Sequence, residues 1–571
     1  MGLGDGPVKV RFRFPFSPAG LAGALAFYCL SLTPSLLPRV WYLQALMSGI
    51  TMVVGYAAGW LAGWVLRSLI PWRPGRFWRW AGWSALAVAA VVLVPLFGVL
   101  GAEWQHEIRE LVDTQQPSET RYVFVAGVAL AIFAALIGLG RGIRSLTRAS
   151  ARTLGRFIPR RAANALAVVV VFAILGFGVT GVLPRVAISR ANSVFQDLDN
   201  GTPTGISEPL TSLRSGSASS LVPWITLGRQ GRTFVDTGPT PAEIDRFSRG
   251  FSEAPAMEPV RVYVGLKSLS SDSLAGSIPS PFAVRAEADL AVRELERTGA
   301  FRRKVLVVAT TTGTGWLNPA MIDPLEYMYN GDTAVVALQY SYLPSWISFL
   351  VDKAPATEAG QDLFDAVYAR WHSLPPGQRP RLVEFGESLG SFGGEAAFSG
   401  TDDLRDRTSG ALWVGPTNSN ALWGRFTAFR DPGSPPWRPV YQGGRTVRFG
   451  SAPSQLLSPE SGGGAWEHPR VVYLQNPSDP IVWWSWQLAF HQPDWLRGRR
   501  PPDVSPAMHW YPLVTCWQVA ADLALSTAVP PGHGHSYGVA QAAGAWASII
   551  PPPGWTPGRT AELSRLKLPS P

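Results

Sequence analysis

The sequence predicts an α-helical transmembrane domain of five spans followed by an α/β domain, a mainly parallel sheet with helices on both faces. Three observations carry this. Five apolar runs crowd the first 190 residues, short β-branched runs alternate with helical stretches beyond residue 258, and charge divides between the two regions. Residues 1–190 hold 19 basic and six acidic side chains, whereas residues 191–571 hold 31 and 34. The net charge of +10 therefore belongs to the apolar part. That argues against nucleic-acid binding, which places its basic patch on a folded polar surface. The 24 Trp, 14 Tyr and 26 Phe can bury a large core, so the chain is not disordered. Two cysteines in distant apolar runs give neither a disulfide framework nor a cysteine metal site.

The apolar runs are 17–38, 43–66, 81–102, 122–140 and 163–187. At about 1.5 Å per residue each is long enough to cross a hydrocarbon core of roughly 30 Å. The loops between them carry an orientation code. Arg67, Arg73, Arg76 and Arg79 follow the second run, and seven arginines from Arg141 to Arg161 follow the fourth. The loop after the third is mainly acidic, with Glu103, Glu107, Glu110, Asp113 and Glu119. By the positive-inside rule the N-terminus and the Arg-rich loops are cytoplasmic, and everything after the fifth span is outside. No Asp, Glu, Lys, Arg or His sits centrally in a run, unlike the pathways of pumps and ion-coupled transporters. The expected domains are a membrane anchor or lipid-facing platform at 1–190, a Gly/Ser/Pro-rich connector at 191–258, and a catalytic domain at 259–571.

Within the last domain, strands are predicted at 260–264, 304–310, 333–339, 381–385, 411–414 and 471–474, with helices at 284–297 and 361–374 between them. Continuous apolar strands separated by helices indicate a parallel sheet covered on both faces. The strongest chemical signal is Gly386-Glu387-Ser388-Leu389-Gly390. This G-x-S-x-G follows a predicted strand and opens a predicted helix, the context of a nucleophile elbow. A serine hydroxyl needs a base and a group to orient that base. Asp479 lies just past the strand 471–474, in Asn476-Pro477-Ser478-Asp479-Pro480. Two histidines, His533 and His535, come later in a Gly/Pro-rich loop, PPGHGHSYG. His535 is the preferred base, with His533 as a supporting group or the alternative base. A His-x-His pair can also ligate zinc, but no third ligand is identifiable, so no metal site is assigned.

The five-span N-terminus together with TTGTGWLNP, ALQYSYLPSW, GESLGSFGGEAAF, YLQNPSDPIVWW and VPPGHGHSYG resembles the α/β-hydrolase superfamily, and within it a bacterial family of membrane-embedded α/β-hydrolases. The resemblance covers nearly the whole chain. It implies a triad of Ser388 as nucleophile, Asp479 as acid, and His535 or His533 as base. The oxyanion would be held by the Leu389 N–H and by an amide of the loop Thr311–Gly315, with Thr312 and Gly313 as candidates. That loop departs from the His-Gly-Gly type of many esterases, so the second donor stays open. The expected function is a membrane-anchored serine hydrolase or acyltransferase, working without cofactor outside the cytoplasmic membrane. Anchoring and a Trp483, Trp484 and Trp486 cluster point to an ester with lipid character. The readings set against it are a non-catalytic receptor or scaffold on the same frame, and a channel with a hydrolase-like regulator.

Overall fold

A computed structural model of the chain describes residues 16–69, 75–115, 122–154, 156, 183–269, 281–457 and 465–567. Its centre is a seven-stranded, wholly parallel sheet. The strands are β1 (Val260–Val264), β2 (Val305–Thr310), β3 (Thr333–Leu338), β4 (Arg381–Glu387), β5 (Gly410–Val414), β6 (Val447–Gly450) and β7 (Arg470–Leu474). They lie in the order β1-β3-β2-β4-β5-β7-β6. Nearly every strand residue is buried, because helices such as Pro281–Thr298, Ala354–His372 and Val539–Ile549 cover both faces. β6 has no counterpart among the strands predicted from the sequence. Arg448 at its centre interrupts the apolar pattern, yet its guanidinium is buried on the carbonyls of Gly444 and Leu456.

The segment before β1 is part of the same core. Val222, Leu227, Phe234, Val235, Ile244 and Phe247 are buried in one cluster with the sheet. Arg261 on β1 is fully buried and donates to Asp323, Glu326 and the carbonyl of Phe234. A charge in that position is tolerated only because it is paired and hydrogen-bonded.

Of the five expected spans, three are helices long and apolar enough to cross a membrane among the described residues: α2 (Trp41–Leu69), α3 (Arg76–Leu111) and α4 (Phe124–Leu154). The first run is shorter as a helix than expected. It forms helix α1 (Pro18–Ser31) of only 14 residues, about 21 Å at 1.5 Å per residue. Pro34 and Pro38 stop it, since proline and the residue before it leave the helical region. The fifth run, 163–187, lies outside the described residues as far as 182. α1 lies directly on α2: a Cβ on Gly23 would sit 2.2 Å from the Gly55 carbonyl oxygen. Such backbone contact is how helices associate where no hydrophobic force drives them. Trp60, Leu61 and Trp64 of α2, Val88 and Val91 of α3, and Leu130 and Leu139 of α4 face outward.

Candidate active site

All the predicted site residues come from turns beyond the carboxyl ends of β2, β4 and β7 or from the loop before the last sheet-covering helix, the region where open parallel sheets place ligands. β4 runs into Ser388, whose φ of 57° and ψ of −124° lie outside the ordinary regions for a side-chain-bearing residue. The turn is held by its neighbours. Ser388 N–H donates to Val414 O at 2.8 Å, and Ser388 O accepts from the Ser391 hydroxyl at 2.7 Å. Only glycine fits beside it: a Cβ on Gly386 would meet Gly390 O at 2.4 Å, and one on Gly390 would meet Thr310 O at 2.2 Å. The helix Leu389–Glu395 starts immediately after the serine.

Beyond β7, Asp479 caps the short helix Pro480–Trp483 through Oδ1, which accepts from Ile481 N–H at 2.9 Å. Its other oxygen accepts from His535 Nδ1 at 2.7 Å and from the Tyr537 hydroxyl at 2.8 Å. The carboxylate is fully buried, and these donors satisfy it. The two loops are stapled together. Asn476 Nδ2 donates to Gly534 O and Ser536 O, Ser478 Oγ accepts from Gly534 N–H, and Ser478 O–H donates to Asp503. His535 N–H is in turn fixed on Ser526 O at 2.7 Å. The imidazole lies against Gly415, the residue after β5, where a Cβ would be 2.4 Å from its Cε1. Ser388 is hydrogen-bonded to the adjacent Val414, so nucleophile and histidine share one strand end.

The structure brings His535 onto Asp479 and turns His533 elsewhere. His533 stands 3.6 Å from Asp503 and 3.6 Å from Asp113. Burial pushes the His535 imidazole down, but the charge and hydrogen bond of Asp479, with Glu387, outweigh it and hold the group above its ordinary value. Glu387 is buried; burial pushes its carboxyl up to about 7 against the opposing pull of His535 and Asn318. Burial and the Asp479 charge keep the Tyr537 phenol well above its usual range, so it serves as a donor.

The two loop amides expected at the oxyanion are engaged within the chain. Thr312 N–H donates to Trp316 O at 3.1 Å, and Gly313 N–H to the Ser345 hydroxyl at 3.0 Å. Thr312 N–H closes a backbone turn, whereas Gly313 N–H is held by a side-chain hydroxyl. Sequence reasoning missed Tyr537, Asn476, Asp503 and the buried Glu387. Tyr537 had a signal in its position two residues beyond the histidine, and the others had none short of the fold. Among the described residues no three His, Cys, Asp or Glu side chains converge to hold a metal.

The description "alpha/beta-hydrolase family" matches residues 260–563, and "alpha/beta-hydrolase family N-terminus" matches residues 32–239. No curated protein and no solved structure matches the chain.

Proposed function

The chain belongs to the alpha/beta-hydrolase family, and from that premise we propose that it is a membrane-anchored serine hydrolase or acyltransferase acting on an ester of lipid character outside the cytoplasmic membrane. The observation that carries the reading is the buried 2.7 Å contact of His535 Nδ1 with Asp479, at the strand end that also presents the strained Ser388. In this reading His535 Nε2 takes the proton as Ser388 Oγ attacks the ester carbonyl. Asp479 holds the tautomer and stabilises the imidazolium. Leu389 N–H, with Gly313 N–H once Ser345 turns aside, receives the oxyanion. The proton then passes to the departing alcohol, and water or a second alcohol releases the acyl group from Ser388.

Orientation is supported by contacts at one end of the helices. The α1–α2 loop and the acidic end of α3 meet the catalytic domain through Arg39–Asp522 at 2.9 Å and Glu107–Ser505 at 2.9 Å. Arg67 of α2, Arg76 and Arg79 of α3, and Arg141, Arg144, Arg148 and Arg152 of α4 lie at the opposite ends of those helices. The positive-inside rule then favours a catalytic domain on the outer side, whatever the number of spans. The lipid clause is supported by Trp486 and Phe490, 63% and 71% exposed, with Trp486 set against Trp517 of the helix Val514–Leu523 that packs on α1 and α2. Exposed aromatics beside membrane helices suit the bilayer interface.

The test is a fluorophosphonate probe on membranes holding the full chain. Wild type should be labelled and Ser388→Ala should not. His535→Ala should slow labelling by roughly 10³-fold or more, and His533→Ala far less. Equal labelling of Ser388→Ala would remove the enzyme reading and leave the scaffold. Lipidomics of a strain carrying Ser388→Ala against wild type then identifies the acyl donor.

A further inference from the structure

The loop joining α1 to α2 is buried from Leu32 to Leu37 and at Arg39. Leu32, Ser35, Leu36 and Leu37 have no exposed surface, and Leu36 and Leu37 belong to the core of the catalytic domain rather than to the small cluster between the membrane helices. Its polar groups converge on Asp522, the penultimate residue of the helix Val514–Leu523. The Ser35 hydroxyl and Leu36 N–H each donate to that carboxylate at 3.0 Å, and Arg39 Nε at 2.9 Å. Asp522 is itself wholly buried, so these donors from the membrane domain are what makes its charge tolerable there.

Just past Asp522 the chain makes the turn that holds the base. Ser526 O, four residues on, accepts the His535 N–H at 2.7 Å. The same α1–α2 loop reaches the histidine segment directly. Gly534, with φ +49°, separates His533 from His535, and the Leu37 Cδ1 lies 3.3 Å from where a Gly534 Cβ would stand. The backbone of His535 is thus fixed from two sides by one membrane-domain loop, through Asp522 and Ser526 on one side and through Leu37 on the other. A triad tolerates little freedom, because a misplacement of about 1 Å can cost on the order of 100-fold.

We infer that the Ser35–Arg39 loop of the membrane domain is a positioning element of the catalytic histidine, with Leu37 and Asp522 as its contact points, so that catalysis depends on the seating of the membrane helices. The inference rests on the reading of His535 as base. It names no new reacting group: Leu37 touches neither substrate nor reacting atoms and acts through the loop that carries the imidazole.

The experiment uses the full chain in nanodiscs, with Leu37→Ala, the milder Leu37→Val and the size-conserving Leu37→Met. Fluorophosphonate labelling should slow by roughly 100-fold in Leu37→Ala, less in Leu37→Val, and return towards wild type in Leu37→Met. Hydrogen exchange should show faster exchange across 532–538 in the same order, while protection of 383–395 around the nucleophile stays unchanged. A purely structural role would loosen both segments together and would not follow that order. Wild-type labelling and wild-type protection of 532–538 in a folded Leu37→Ala or Leu37→Val chain would overturn the inference. If wild type itself takes no label, the enzyme reading fails, and the exchange measurement still decides whether the loop fixes the histidine segment.

Discussion

At the scale of single residues, the site couples three buried ionisable groups, and the coupling sets a pH profile. In the proposed mechanism His535 must be neutral to accept the serine proton, and its imidazole is held above the ordinary 6.5 by Asp479 and Glu387, against burial. Labelling of Ser388 should therefore rise with pH through a midpoint above that of a free imidazole. Glu387→Gln keeps the shape and the Asn318 partner but removes one of the charges that hold His535 up. Its midpoint should move towards acid, measured by probe labelling across pH; a midpoint that stays put would mean that Glu387 is not charged when His535 titrates. Ser388, Asp479 and His535 could be singled out in the sequence because their backbone contexts, a strand-to-helix turn, a loop after a strand and a Gly/Pro-rich loop before a helix, are written in small residues and prolines. Glu387 was not, since an ordinary glutamate acquires its part only through burial beside Asp479 and His535, and Tyr537 had only its place two residues beyond the histidine as a signal.

At the scale of elements, the elbow is a packing problem before it is a chemical one. β4, the helix Leu389–Glu395 and the Thr310–Thr311 carbonyls meet with no space for a side chain at Gly390. A Cβ there would collide with backbone oxygens that cannot swing aside. Gly390→Ala should cost at least the upper end of the usual overpacking range, about 3 kcal/mol, and should abolish labelling even where the chain stays folded. Thermal unfolding followed alongside labelling checks both; a variant that keeps its melting temperature and label would show that the turn can open. The strands were readable because β-branched runs of five or six residues between helices admit few alternatives. β6 was not, because its buried arginine imitates a loop. The first apolar run forms a shorter helix than expected for the converse reason: Leu36 and Leu37 extend its hydrophobicity past Pro34, yet they are buried in the same core as the sheet.

At the scale of the whole molecule, the proposed topology rests on the alternation of Arg-rich and acidic loops and on the contacts of Asp522 and Ser505 with Arg39 and Glu107. A reporter fused after Pro571 should then be active outside the membrane, and one inserted within 141–154 inside; the reverse pattern would turn the protein over. The deeper consequence concerns what can be cut away. Leu36, Leu37, Val112, Val222, Leu227, Phe234, Val235, Ile244 and Phe247 all lie before residue 259 and are buried in the same core as the sheet. Burying each such side chain contributes about 1.5–3 kcal/mol, so together they match or exceed the roughly 5–15 kcal/mol that separates a folded domain from its unfolded chain. Residues 259–571 alone would also leave Asp522 buried without the Ser35, Leu36 and Arg39 donors. That fragment should aggregate or bind an apolar dye, and it should label far more slowly than the full chain in detergent. A fragment of 191–571 regains the six core residues between 222 and 247 and should be better folded, but its histidine loop still lacks the membrane-domain contacts. Size-exclusion chromatography and probe labelling of the two fragments beside the full chain provide the comparison. If 259–571 elutes as a stable monomer with the labelling rate of the full chain, the earlier residues are a detachable anchor, and the shared core contributes nothing that the catalytic domain needs.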